Sequence, residues 1–98
     1  MKINKLIDGS LCTIGLEGRL DTTTAPELEK ELDGTLDTIK ELVFDFAQLD
    51  YISSAGLRVI LAAQKKMNNL GTMKIINVKP EVLEVFEITG FTSILTIE

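Results

Sequence analysis

The chain is predicted to adopt an α/β fold with a largely parallel sheet, and three features of the sequence lead there. Short apolar strands alternate with segments of helical period along nearly all of its length. Asp8-Gly9 is a hairpin signal between the first two strands, after which strand and helix alternate, as parallel crossovers require. Leu42, Val43, Phe44 and Phe46 are apolar on both parities of one run, which suggests a central strand covered on both sides.

Each element follows from its own residues. Lys2–Ile7 and Leu11–Glu17 read as the two hairpin strands. Gly18-Arg19-Leu20-Asp21 then leads to Thr24, which with Glu27 three residues on forms a capping box, Pro26 being tolerated in the first helical turn. Leu28, Leu32 and Leu36 continue that helix as one apolar stripe, with Glu27, Glu29, Lys30 and Glu31 as its wet face. Glu41–Ala47 is the clearest strand, and 48–53 reads as a loop. A second helix runs over 54–69, its inward side built on Leu57, Ile60 and Leu61 and flanked by Ala55, Val59, Ala62 and Ala63. Asn68-Asn69-Leu70-Gly71 closes it. Thr72–Val78 is a further strand. Pro80 opens a short helix that turns Val82, Leu83 and Phe86 inward and ends at Gly90. Phe91–Ile97 alternates weakly and is expected to form a last strand or a strand with a frayed end, giving the order β-β-α-β-α-β-α-β.

Composition narrows the function classes. Ninety-eight residues make a single domain over 1–98, with 45% hydrophobic and 26% charged residues, and with no Trp the core must come mainly from Leu, Ile and Val. A formal charge of −5, with no basic cluster beyond Lys65-Lys66, argues against nucleic acid and against an anionic membrane surface as partner. A solvated surface or a basic protein partner fits that balance better. Lys2-Ile3-Asn4-Lys5 passes straight into short alternating segments, unlike a secretory leader, and no apolar run is long enough for a bilayer, so a cytoplasmic protein is expected. Cys12 is the only cysteine and sits between Leu11 and Ile14, where a buried, inert thiol is expected. The chain has no histidine. The usual general base, Ser-His and Cys-His pairs and the commonest metal ligand are therefore missing, and neither a metal site nor a cofactor is expected. A Ser-Lys pair fails on distance, because Lys65 and Lys66 lie about three helical turns from Ser54, roughly 16 Å along the axis. An enzyme is not expected.

The most informative stretch runs from Leu42 to Arg58: a buried strand, a short connection, and two serines where a helix begins. Sites in α/β sheets gather at such carboxyl ends of strands. Either Ser53 or Ser54 suits a cap. The same position suits a phosphate, since free amides and the helix dipole stabilise added negative charge by about 0.3–1 kcal/mol at an exposed end. A phosphate there adds about −1.5 to −2 charges without disturbing the fold. Gly56 in the first turn costs about 1 kcal/mol against Ala, so something requires it, close approach of another chain or backbone being one candidate. Arg58, four residues after Ser54, either pairs with a phosphate, meets a partner, or is solvated charge. Asp45 reads as a structural acceptor for backbone amides or as part of the acceptor environment, and Asp50 as a turn residue. Thr22 and Thr23 either touch a partner or only form the turn.

The run from Leu49 through Ser53-Ser54-Ala55-Gly56-Leu57-Arg58 to Leu61 resembles the signature of bacterial anti-sigma-factor antagonists, the STAS family. Gly18-Arg19-Leu20-Asp21, Val43-Phe44-Asp45-Phe46 and Val85-Phe86-Glu87-Ile88-Thr89-Gly90-Phe91 extend the likeness over nearly the full length. The resemblance implies a STAS-type βα superhelix, a mixed four- to five-stranded sheet with helices packed mainly on one face. It implies a partner switch: the unphosphorylated protein binds an anti-sigma factor with serine kinase activity and frees the sigma factor. Phosphorylation of Ser54, with Ser53 as rival acceptor, ends that binding, and a serine phosphatase restores it. The implied partner surface comprises Asp21, Thr22, Thr23, Ser53, Ser54, Ala55, Gly56 and Arg58, on a monomer. Ser53 replaces the family's Asp, and Ala55 its Ser or Thr. The alternative is a constitutive STAS subunit of a transport or signalling complex without a phospho-switch.

Overall fold

A computed structural model describes all 98 residues. Strands β1 (Lys2–Asp8) and β2 (Leu11–Leu20) form the antiparallel hairpin. Helix α1 (Ala25–Leu32) leads to β3 (Glu41–Ile52), α2 (Ser54–Leu70) to β4 (Thr72–Ile76), and α3 (Pro80–Thr89) ends the regular structure. The sheet order is β1-β2-β3-β4, with β2, β3 and β4 mutually parallel. The mixed, mainly parallel sheet predicted from the sequence is present.

Several elements differ from their sequence reading, each for a local reason. The stripe Leu28-Leu32-Leu36 is not one helix: α1 stops at Leu32, Gly34 follows with φ of 80°, and Leu36 is buried from a separate 3-10 turn, Leu36–Thr38. Thr24 does not form the expected capping box, because it lies in helical conformation with no side-chain cap bond. No loop spans 48–53. Strand β3 continues to Ile52 through two irregularities in its pairing with β2, opposite Gly15/Glu17 and Gly18/Arg19. Each inserts one extra residue on β3, so the core-facing positions run Phe46, Leu49, Ile52 at intervals of three. Strand β4 ends at Ile76, two residues early. Phe91–Ile97 is no fifth strand: Phe91–Ser93 is a 3-10 turn, and only an isolated bridge joins Ile97 to Ile75.

One continuous core lies on one face of the sheet. Cys12, Ile14, Leu42, Phe44, Met73 and Ile75 pair across β2, β3 and β4 on that face, and Leu28, Leu57, Ile60, Met67, Val82 and Phe86 of the three helices cover it. The central strand is therefore covered by helices on one side only. Val43 belongs to the opposite face, outside that core, between Thr13 and Lys74 in the register. Burial raises the Cys12 thiol pKa, against the pull of nearby Lys5, which keeps the thiol inert. No helix is long and apolar enough to cross a membrane.

Candidate functional site

The site assembles where β2 and β3 end. Ser53 N–H donates to Leu20 O at 2.9 Å, which fastens the start of α2 to the end of β2. Ser53 is extended (φ −99°, ψ 175°), and its Oγ accepts from Gly56 N–H at 3.4 Å. Ser53 is thus the cap, and Ser54 becomes the first residue of the helix, exposed, with its hydroxyl free of any partner in the chain. No acidic residue occupies the first turn of α2.

Asp21 organises the neighbouring turn. Its Oδ1 accepts from Thr23 N–H at 3.0 Å, Thr24 N–H at 3.2 Å and the Thr23 hydroxyl at 2.8 Å, so the cap expected of Thr24 is supplied three residues earlier. The Thr24 hydroxyl instead receives Asp21 N–H and donates to Arg19 O, both at 2.8 Å. The Thr23 hydroxyl, opposed by partial desolvation and joined by the Thr24 and Thr23 amides, holds the Asp21 carboxyl below the usual carboxylate range. A carboxyl whose pKa falls on folding stabilises the fold fully above its unfolded value near about 3.9, and the contribution disappears as pH drops through the lower folded value. In urea unfolding, the stability gap between wild type and Asp21→Ala should therefore be constant near neutrality and narrow below about pH 4.

Gly56 is buried, not displayed. A Cβ on it would come within 2.6 Å of Leu20 Cγ and 3.0 Å of Ile52 Cγ1. Within the chain it is the side chains beneath the first turn of α2, not a backbone, that demand this glycine. The crowding of Gly56→Ala costs about 1–3 kcal/mol, partly offset by the roughly 1 kcal/mol that alanine gains in helix propensity. The expected net loss is about 1–2 kcal/mol, read from a chevron or urea melt. Leu20→Ala in the same chain should recover the steric part, since it removes the clashing atoms.

The remaining named residues divide by position. Thr22, Ala55 and Arg58 line a hollow of about 370 Å³ between α1 and α2, together with Pro26, Glu29 and Val59. Asp45 is structural: it accepts from Ala47 N–H at 3.0 Å, beside the first bulge, and from Asn77 Nδ2 at 3.1 Å. Asp50 pairs with Lys79, tying the end of β3 to the start of α3. The sequence reading missed one cluster, in which the Arg19 guanidinium lies 4.1 Å above the Tyr51 ring and its Nε is 3.8 Å from Asp21 Oδ2. Arg19 and Tyr51 are cross-strand neighbours only because of the second bulge, so no periodicity could reveal the pair.

This frame matches known proteins. The family model described as STAS domain fits residues 2–98. The chain belongs to the STAS domain family. Over 93 residues, this STAS chain is 43% identical to BtrV of Bordetella bronchiseptica, a candidate anti-sigma factor antagonist, covering 93% of this chain and 79% of that protein. An anti-sigma factor antagonist from Mycobacterium paratuberculosis superposes with a TM-score of 0.88 at 20% identity, over 98% of this chain and 83% of the other. Unphosphorylated SpoIIAA gives 0.85 at 17% identity (99% and 88% covered), and phosphorylated Bacillus SpoIIAA gives 0.78 at 16% (99% and 91%). At these identities the structural likenesses establish the STAS fold, whose open carboxyl edge carries Asp21, Ser53 and Ser54.

Proposed function

We propose that this STAS domain is an anti-sigma factor antagonist that binds, when unphosphorylated, an anti-sigma factor with serine kinase activity, and that phosphate on Ser54 ends the binding. The observation that carries the reading is the division of labour between the two serines. Ser53 Oγ is engaged as the helix cap, whereas Ser54 Oγ is exposed and unbonded on the first residue of α2. BtrV's description and the existence of SpoIIAA in phosphorylated and unphosphorylated forms support the same reading. In the transfer, Ser54 Oγ attacks the γ-phosphorus of ATP, ADP leaves, and the hydroxyl proton passes to a base of the kinase. A serine phosphatase would reverse the change, and Ser53 is the rival acceptor.

The added dianion works by local electrostatics. It sits on the free amides of the first turn of α2, which tolerate it, and confronts any partner surface packed on Ser54, Thr22 and Arg58 with about two negative charges. Incubation with the cognate kinase and ATP, followed by peptide mapping, should place a single phosphate on Ser54. Ser54→Ala should bind the anti-sigma factor as the wild type does and take up no phosphate. Ser54→Asp should bind at least about tenfold more weakly, as expected when a charge is buried unpaired at an interface. Phosphate on Ser53, or equal affinity of all three forms, would overturn the assignment, the latter in favour of a constitutive subunit.

A further inference from the structure

The Ser54 reading gives Arg58 no partner within the chain, and its surroundings single it out. None of the five ion pairs of the chain contains Arg58, and its guanidinium makes no hydrogen bond. It is the only cationic side chain in the first two turns of α2, a helix without a single Asp or Glu. The unpartnered Ser54 hydroxyl lies one turn earlier on the same face. Side chains on a helix lean toward its N-terminus, so the turn that holds Ser54 lies within the reach of Arg58. From the other elements, Glu29 lines the same hollow and Asp21 lies in the turn between β2 and α1. Glu29 of α1 shares the α1–α2 hollow with Arg58 but lies beyond ion-pair distance. Asp21 is occupied by Thr23, Thr24 and Arg19.

We propose that Arg58 is the internal receiver for a phosphate on Ser54, drawn out of the α1–α2 hollow when the serine is modified. The inference rests on Ser54 being the phosphoacceptor. An anion placed N-terminal to a cation at i, i+4 is the favoured order on a helix, and a guanidinium meets phosphate oxygens in a bidentate fork. Against the single charge of exposed Glu29, the phosphate offers about two. The modification then changes the surface twice: an anion appears at Ser54, and the one cation of the hollow's upper rim is withdrawn. A partner that engages Arg58 loses that contact even where it does not touch Ser54.

The test needs no kinase. Phosphoserine is inserted at position 54 during translation, and its second ionisation is followed by 31P NMR in wild type, Arg58→Gln and Arg58→Lys. The helix terminus acts equally in all three, so differences report Arg58. The second pKa should be lower in wild type than in Arg58→Gln by about 0.3–0.5, a two- to threefold stronger acid, with Arg58→Lys between them. About 0.5 M salt should shrink the gap. Equal pKa values in wild type and Arg58→Gln would overturn the proposal. Failure of the cognate kinase to modify Ser54 would overturn the functional reading instead, and leaves this titration intact.

Discussion

Gly71→Ala is expected to destabilise the fold by at least about 3 kcal/mol, the upper end of what overpacking costs. A Cβ on Gly71 would lie 1.8 Å from Lys40 O and 2.7 Å from Lys40 C. Those are backbone atoms, so no side chain can rotate out of the way. The carbonyl is also in use, because it accepts Thr72 N–H at 2.9 Å and thereby starts the β3–β4 ladder, while Lys40 and Glu41 N–H both donate to Ser10 O at 2.8 and 3.1 Å. Pushing Lys40 away would disturb the register where β2, β3 and β4 all begin. Urea titration followed by far-UV circular dichroism should show a midpoint shifted far below that of wild type. Retention of wild-type stability would mean that the connection after α2 can be rebuilt at little cost.

Phe86→Ala should have a comparable effect, about 3–5 kcal/mol, by a different route. Phe86 is completely buried and stacks on Phe46, with centroids 6.3 Å apart and planes 24° from parallel; Phe46 in turn tilts against Phe44 at 5.9 Å. The chain has five aromatic residues, four Phe and one Tyr, and three of them form this one column. It is the principal attachment of α3 to the sheet, whose other anchors are Val82 and the Asp50–Lys79 pair. Part of the loss should be local: amide exchange in α3 should speed up more than in α2, which keeps Leu57, Ile60 and Met67 in the core. Uniform acceleration across all helices would show instead that α3 unfolds only with the rest of the domain.

The hairpin, the helix after Ser53 and the helix between Pro80 and Gly90 were legible because each carries its own signal: Asp8-Gly9, an apolar stripe, and an N-terminal Pro with a left-handed Gly90 (φ 78°). The STAS motifs were legible as a pattern over the chain. What escaped depends on partners distant in sequence. The last five residues of β3 lack period-two alternation because its two bulges reset the side-chain direction, and a bulge is defined by the opposite strand. Asp21 displaced Thr24 as the capping group because the Thr24 hydroxyl already accepts Asp21 N–H and donates to Arg19 O, contacts outside the capping-box pattern. The reasons for Gly56 and Gly71 lie with Leu20 and Lys40, more than thirty residues away in each case. At the candidate site, the sequence located the two serines and its family resemblance pointed to Ser54, whereas the hydrogen bond from Gly56 N–H identified Ser53 as the cap.

The two ends of α2 share a property with consequences for signalling. At its start, Ser53 N–H is bonded to Leu20 O, and just past its end, Thr72 N–H is bonded to Lys40 O. The helix is a beam clamped at both supports, one on the end of β2 and the other at the head of β3. A beam so held has no hinge about which to swing. The phosphate proposed for Ser54 would then be read from the outside of the molecule, as a change of charge on a fixed scaffold, and the backbone of α2 should stay in register whichever form the serine takes.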